Sequence, residues 1–218
     1  MLFLVLSQWT PALSECTFAV QNLIMKKLSL TASIIFFSTA LFAQTKWNVD
    51  NVHSSVKFTV THLVISEVEG SFKKFNGSIS SPGADFTNAA VDFAVDINSI
   101  STDNDTRDNH LKSDDFFNAA QYPSMTFKST SFKKVADNKY KLAGNLTIRN
   151  ITKPVTFDVS YGGTVKDPYG NIKAGFKATM VINRFDYNLK WNNLTEAGGA
   201  VVGKDITINL RLEFAQAK

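Results

Sequence analysis

The sequence predicts an all-β domain: an antiparallel sheet of about eight strands, closed into a barrel and interrupted by one short helical insertion. Three observations predict it. Apolar and polar residues alternate with period two along most of the chain, which gives each strand one apolar and one polar face. Turn-forming pairs separate the alternating runs, and a single segment breaks the alternation.

The first run sets Val56, Phe58 and Val60 against Lys57, Thr59 and Thr61, and the second sets Val91, Phe93, Val95 and Ile97 against Asp92, Ala94 and Asp96. The pattern recurs at Met125 and Phe127, at Tyr140 and Leu142, at Val155, Phe157, Val159 and Tyr161, and from Ile172 to Ile182. The last run, Ile206, Ile208, Leu210, Leu212 and Phe214, carries Asp205, Thr207, Asn209, Arg211 and Glu213 on its other face. Asn76-Gly77, Pro82-Gly83, Asp137-Asn138, Gly162-Gly163, Asp167-Pro168-Tyr169-Gly170 and Gly198-Gly199 supply the turns of a mostly meandering sheet. Thr102 to Gln121 lacks alternation and opens with cap-type residues. Ser113, ahead of Asp115-Phe116-Phe117, offers a second helix start, so one or two short helices are expected there. Closure is favoured over a sandwich because it removes unpaired edges. A membrane-spanning barrel is disfavoured by the Asp, Lys, Arg and Asn on the outward faces.

The chain has 218 residues, of which 44% are apolar and 19% charged, a globular composition. Its 23 basic and 19 acidic residues are dispersed, so no nucleic-acid-binding stripe is expected. The one cysteine, Cys16, permits neither an intramolecular disulfide nor a cysteine-based zinc site. From Met25 the chain reads Met25-Lys26-Lys27, an apolar stretch from Leu28 to Phe42, then Ala43-Gln44, the layout of a secretory signal peptide despite Leu41 three residues before the cut. A spanning helix would need roughly 20 apolar residues. Residues 1–24 are expected to be an upstream extension from a misassigned start, residues 25–43 the signal peptide, and residues 44–218 a periplasmic or secreted domain, cleaved near Ala43/Gln44.

One string of motifs is specific. Asp50-x-x-His53-Ser54-x-Val56-x-Phe58-x-Val60-x-His62 is followed by Val68-x-Gly70-x-Phe72-x-x-Phe75. Then come Thr102-x-Asn104-x-x-Arg107-Asp108-x-His110-Leu111-x-Ser113-x-Asp115-Phe116-Phe117 and Tyr122-Pro123-x-Met125-x-Phe127. With Gly144-Asn145-Leu146-Thr147-Ile148, Thr152-Lys153-Pro154-Val155 and Val202-Gly203-Lys204-Asp205-Ile206, this resembles the YceI-like family of lipid- and polyisoprenoid-binding proteins from Gln44 to Lys218. One departure stands out: the family usually shows Arg-x-Asp-Phe-Gly where this chain has Arg184-Phe185-Asp186-Tyr187-Asn188. Asn tolerates positive φ, so the turn is expected to survive. The resemblance implies a lipocalin-like eight-stranded barrel whose lumen holds a long isoprenoid or similar lipid.

The wall candidates are Phe58, Val60, Phe93, Val95, Phe127, Leu142, Leu146, Phe157, Val159, Phe176, Met180, Ile206, Ile208 and Leu210. Alternation alone favours an ordinary filled core; the resemblance is what turns these faces into a ligand wall. Burying about 20 carbons at ~0.8 kcal/mol per methylene gives a gross ~16 kcal/mol, ample affinity with little discrimination. Selectivity is then left to tunnel length and to polar groups at the mouth. Arg107, Asp108 and His110 are the headgroup candidates, the alternative being that Arg107 and Asp108 tie the insertion to the rim. His53 and His62 are nine apart and on a regular strand would face opposite sides, so no metal site is expected of them. Asp103-x-Asp105-x-Arg107 lacks the residues of a calcium loop, and no nucleophile elbow, phosphate loop or dinucleotide fingerprint is present. The expectation is an exported, non-catalytic lipid carrier or scavenger without a cofactor, in transient contact with membranes. The alternatives are an enzyme acting on a lipophilic substrate in the barrel through Arg107, Asp108 or His110, or a structural or stress-related surface protein.

Overall fold

The computed structural model describes residues 44–218; the expected signal peptide and upstream extension lie outside the described residues. Eleven strands are present among the described residues: β1 (Thr45–Val49), β2 (Ser55–His62), β3 (Ser66–Phe72), β4 (Phe75–Ser81), β5 (Ala90–Asp96), β6 (Ile100–Ser101), β7 (Ser124–Ala136), β8 (Lys139–Ile148), β9 (Ile151–Lys166), β10 (Ile172–Asn183) and β11 (Val202–Gln216). Helix α1 (Asp105–Lys112) separates β6 from β7, and single 3-10 turns span Ile97–Ser99 and Arg184–Tyr187.

Eight strands close an antiparallel ring in the order β1-β4-β5-β7-β8-β9-β10-β11, with β11 returning to β1. The barrel is as expected, but it is not a simple meander. The long edge of β11 serves two partners: Phe214 to Gln216 pairs with β1, and Val202 to Arg211 pairs with β2. β3 and then β6 extend from β2. This arrangement gives the chain the three strands beyond eight.

Only one α-helix occupies the insertion. Asn104 caps α1 by accepting from Arg107 N. Ser113 ends the helix rather than starting another: its amide and hydroxyl both donate to His110 O, and the chain then runs through turns. Apolar side chains from the inward faces form a contiguous core that includes Phe127, Leu142, Leu146, Phe157, Phe176 and Phe214. The lower end is plugged by the β4–β5 connection, where Phe86 is 1% exposed and packs against Trp47, Tyr161 and Phe176 at centroid distances of 5.2, 5.4 and 5.0 Å. Its φ of +60° is left-handed, an uncommon conformation for a bulky residue.

Candidate lipid tunnel and its mouth

The barrel interior contains three adjoining chambers. The deep one has a cavity volume of about 100 Å³ and lies between β4, β5, β7, β8, β9, β10 and β11. Its walls include Phe93, Val95, Phe127, Leu142, Leu146, Phe157, Val159, Phe176, Ile208 and Leu210. The middle chamber, about 100 Å³, shares Val56, Met125 and Ile208 with it and adds Phe58, Val60 and Ile206. The third, about 200 Å³, shares Phe58, Val60, Leu111, Phe116 and Val202 with the middle one and is lined also by His62, Thr102, Arg107, His110 and Trp191. The sequence places polar groups at the mouth and almost none inside.

Thirteen of the fourteen wall candidates lie on the deep or the middle chamber. Met180 is the exception: it is buried on the same face of β10 and packs in the core without forming part of a chamber wall. Glycine makes the inward aromatic layer possible. A Cβ on Gly70 would come within 2.2 Å of the Phe58 ring, and one on Gly77 within 2.3 Å of Phe93. In both cases the phenylalanine lies across its directly paired glycine on the neighbouring strand.

The mouth candidates separate by role. Arg107 and His110 both face the mouth chamber. Arg107 is exposed, donating from Nε to Thr102 Oγ1 at 2.7 Å and from Nη2 to Thr102 O at 2.6 Å. His110 pairs with Asp115 at 2.9 Å and stands edge-on to Phe116 and Trp191. Asp108 turns away: it is 7% exposed, and its Oδ1 accepts from the amide and hydroxyl of Thr102 at 2.8 and 2.6 Å. The strongest tie between insertion and barrel comes from Arg149, a residue that sequence reasoning missed. From the left-handed β8–β9 turn it donates to Asp114 O, Phe116 O and Asn188 O and pairs with Asp114 Oδ1 at 2.7 Å.

His62 reaches the mouth chamber, while His53 lies at the other end of β2 beside Asp50, Glu213 and Lys173. Asp50, His53 and Glu213 lie close enough to suggest a metal, but the Lys173 ammonium bonds both carboxylates, at 2.5 and 3.2 Å, and supplies the positive charge itself. That contact holds the Asp50 carboxyl well below the usual carboxylate range and pushes the Lys173 ammonium up.

The 3-10 turn Arg184–Tyr187 borders the middle chamber, and the turn survives its departure from the family pattern. Asn188 sits at φ +62°, the left-handed conformation glycine would have supplied. Arg184 is 2% exposed and donates to Gly203 O, Leu189 O and Val202 O at 2.9, 2.8 and 3.2 Å. Burial lowers its pKa. Outside the barrel, the β2–β3 turn presents Leu63, Val64 and Ile65 to solvent next to the mouth; Leu63 N donates to Val201 O, and Val201 lines the mouth chamber.

A family model described as the YceI-like domain matches residues 47–214. UPF0312 proteins of Staphylococcus aureus strains bovine RF122 / ET3-1 and N315 are 38% identical over 172 residues, covering 78% of this chain and 98% of theirs. Among solved structures, the Campylobacter jejuni YCEI protein is similar at 35% identity and a TM-score of 0.61, over 72% of this chain and 90% of that one. Burkholderia cenocepacia BcnA shares the fold at 23% identity and a TM-score of 0.66, over 76% and 98%. A domain from Saccharophagus degradans described as polyisoprenoid-binding shares it at 17% identity and 0.56, over 78% and 98%.

Proposed function

Because the chain belongs to the YceI-like family, we propose that it is an exported, non-catalytic carrier or scavenger that holds a polyisoprenoid or similar long-chain lipid in its barrel. The observation that carries this reading is the run of chambers with apolar walls from the mouth to the Phe86 plug. A tail of about 20 carbons in such walls gains ample free energy without any charged contact. Arg107 and His110 line the entrance that the ligand's polar end reaches last. The related domain described as polyisoprenoid-binding supports the choice of ligand class.

Loading takes place at a membrane surface. Ile65 is 86% exposed and Val64 66%, and Val64 holds a φ of +66°, a strained conformation for a β-branched side chain. Three consecutive apolar residues at the lip of a lipid tunnel form a tip suited to the acyl boundary of a bilayer.

Phe176→Asp tests the wall. Phe176 is 6% exposed and lines the deep chamber, so an unpaired carboxylate there should abolish binding of a fluorescent prenyl probe and cost several kcal/mol of stability. A stable Phe176→Asp protein with wild-type probe affinity would show that this face is not the wall.

A further inference from the structure

On the outer wall of the barrel, one row of side chains runs across four strands. The register sets Lys139 of β8 opposite Ser160 of β9, Ser160 opposite Lys177 of β10, and Lys177 opposite Arg211 of β11. Lys177 and Arg211 are exposed and directly paired, an arrangement in which like charges repel. Neighbouring outward cations are neutralised: Lys57 pairs with Glu69, Lys141 with Asp158, and Lys173 with Asp50 and Glu213. Among the described residues neither Lys177 nor Arg211 has a carboxylate partner. Beside this pair the wall is notched. Gly162 and Gly175 take the next outward positions of β9 and β10, the ladder is bulged between Gly175 and Phe176, and a Cβ on Gly175 would meet nothing within 4 Å. The result is a groove of about 380 Å³ lined by Ser160, Lys177 and Arg211 and also by His53 and Glu213.

We propose that this groove is a binding site for a phosphate-type oxyanion, held between Lys177 and Arg211 over the floor left open by Gly175. An anion placed there turns the repulsion of the facing cations into two attractions, and the Arg211 guanidinium offers a planar pair of N–H donors to two phosphate oxygens. Ser160 Oγ accepts from Lys139 Nζ at 2.7 Å, which brings a third cation to the rim and leaves the Ser160 proton free to donate. The Glu213 carboxylate is offset by Lys173 at 3.2 Å. The site is independent of the tunnel: Tyr161 and Phe176, whose backbone borders the groove, turn their rings inward onto Phe86. The phosphate arrives either on a soluble ester or on a phospholipid headgroup.

Two arms separate these sources. In the first, inorganic phosphate is titrated into the isotope-labelled protein at low ionic strength and followed by NMR, with sodium chloride at matched ionic strength as the control. In the second, the protein is sedimented with vesicles of phosphatidylglycerol in phosphatidylcholine, in an Ile65→Asp background that removes the lip. A soluble ligand predicts saturable shifts at the amides of Ser160, Gly175, Lys177 and Arg211; a headgroup predicts saturable vesicle binding. In the arm that binds, Lys177→Gln and Arg211→Gln should each weaken binding by about tenfold, the effect of one charge-assisted hydrogen bond, and Gly175→Leu, which fills the notch, by at least as much. Lys57→Gln and Lys141→Gln, which remove neutralised cations of the same face, should stay within about twofold. Without ligand, Lys177→Gln should melt no lower than the wild type, because it relieves a repulsion. Absence of saturation in both arms, shifts scattered over the surface, equal losses for Lys57→Gln, wild-type affinity in Gly175→Leu, or a clear drop in the melting temperature of Lys177→Gln would each overturn the proposal.

Discussion

At the scale of single residues, the cluster at the β1–β2 corner makes a pH-dependent contribution whose sign is fixed. Asp50 has a folded pKa below its ordinary 3.8, so its contribution is complete above that pH and is lost as pH falls toward the folded value. Lys173 has a folded pKa above its ordinary 10.5, so its contribution is complete below 10.5 and is lost as pH rises past it. Lys173→Ala should therefore cost about 1–2 kcal/mol across the plateau between these limits. The gap from wild type should narrow below pH 3.8 and above pH 10.5. Urea unfolding at pH 2.5, 7 and 11 checks this, and a gap constant over all three would contradict it. None of this cluster was legible in the sequence, because Asp50, Lys173 and Glu213 come from three strands' ends far apart in the chain. Arg149 was equally hidden: its significance lies in its partners, which spacing does not encode.

At the scale of elements, the proposed function assigns the end of the tunnel to the plug and loading to the lip. Phe86→Gly relieves the left-handed strain but empties the plug, so it should cost about 3 kcal/mol of stability. It should also shift preference toward prenyl chains one or two units longer, read by competition among chains of graded length. An unchanged length preference would mean that the plug does not end the tunnel. Ile65→Asp should leave equilibrium affinity for a detergent-delivered lipid unaltered and slow uptake from phospholipid vesicles by about tenfold; uptake at the wild-type rate would remove the lip from the loading step.

The long alternating strands were legible because each has one buried and one solvated face, as in β8 and β10. β3 and β4 were not, and the reason is physical. At Gly70 and Gly77 the inward position is filled by the phenylalanine of the partner strand, so the expected apolar letter is missing from the run. The full length of β7 was obscured by a bulge between Ser129 and Ser131, which turns Phe132 inward at an odd separation from Phe127.

At the scale of the whole molecule, closure of the eight strands converts alternating faces into an enclosed apolar volume, and the insertion and the β2–β3 turn place polar and apolar groups around its entrance. The barrel was legible in periodicity; of the expected turn pairs, Asn76-Gly77 lies inside β4 and Gly162-Gly163 inside β9. Alternation did not separate a filled core from a chambered one, since both bury the same face. The central claim is that this interior carries a prenyl lipid. Its most direct test is to purify the protein from its own host, extract it with organic solvent and identify bound lipid by mass spectrometry. The account predicts about one long-chain prenyl lipid per protein molecule, lost in Phe176→Asp. A lipid-free wild-type protein that also takes up no prenyl lipid from vesicles would contradict it.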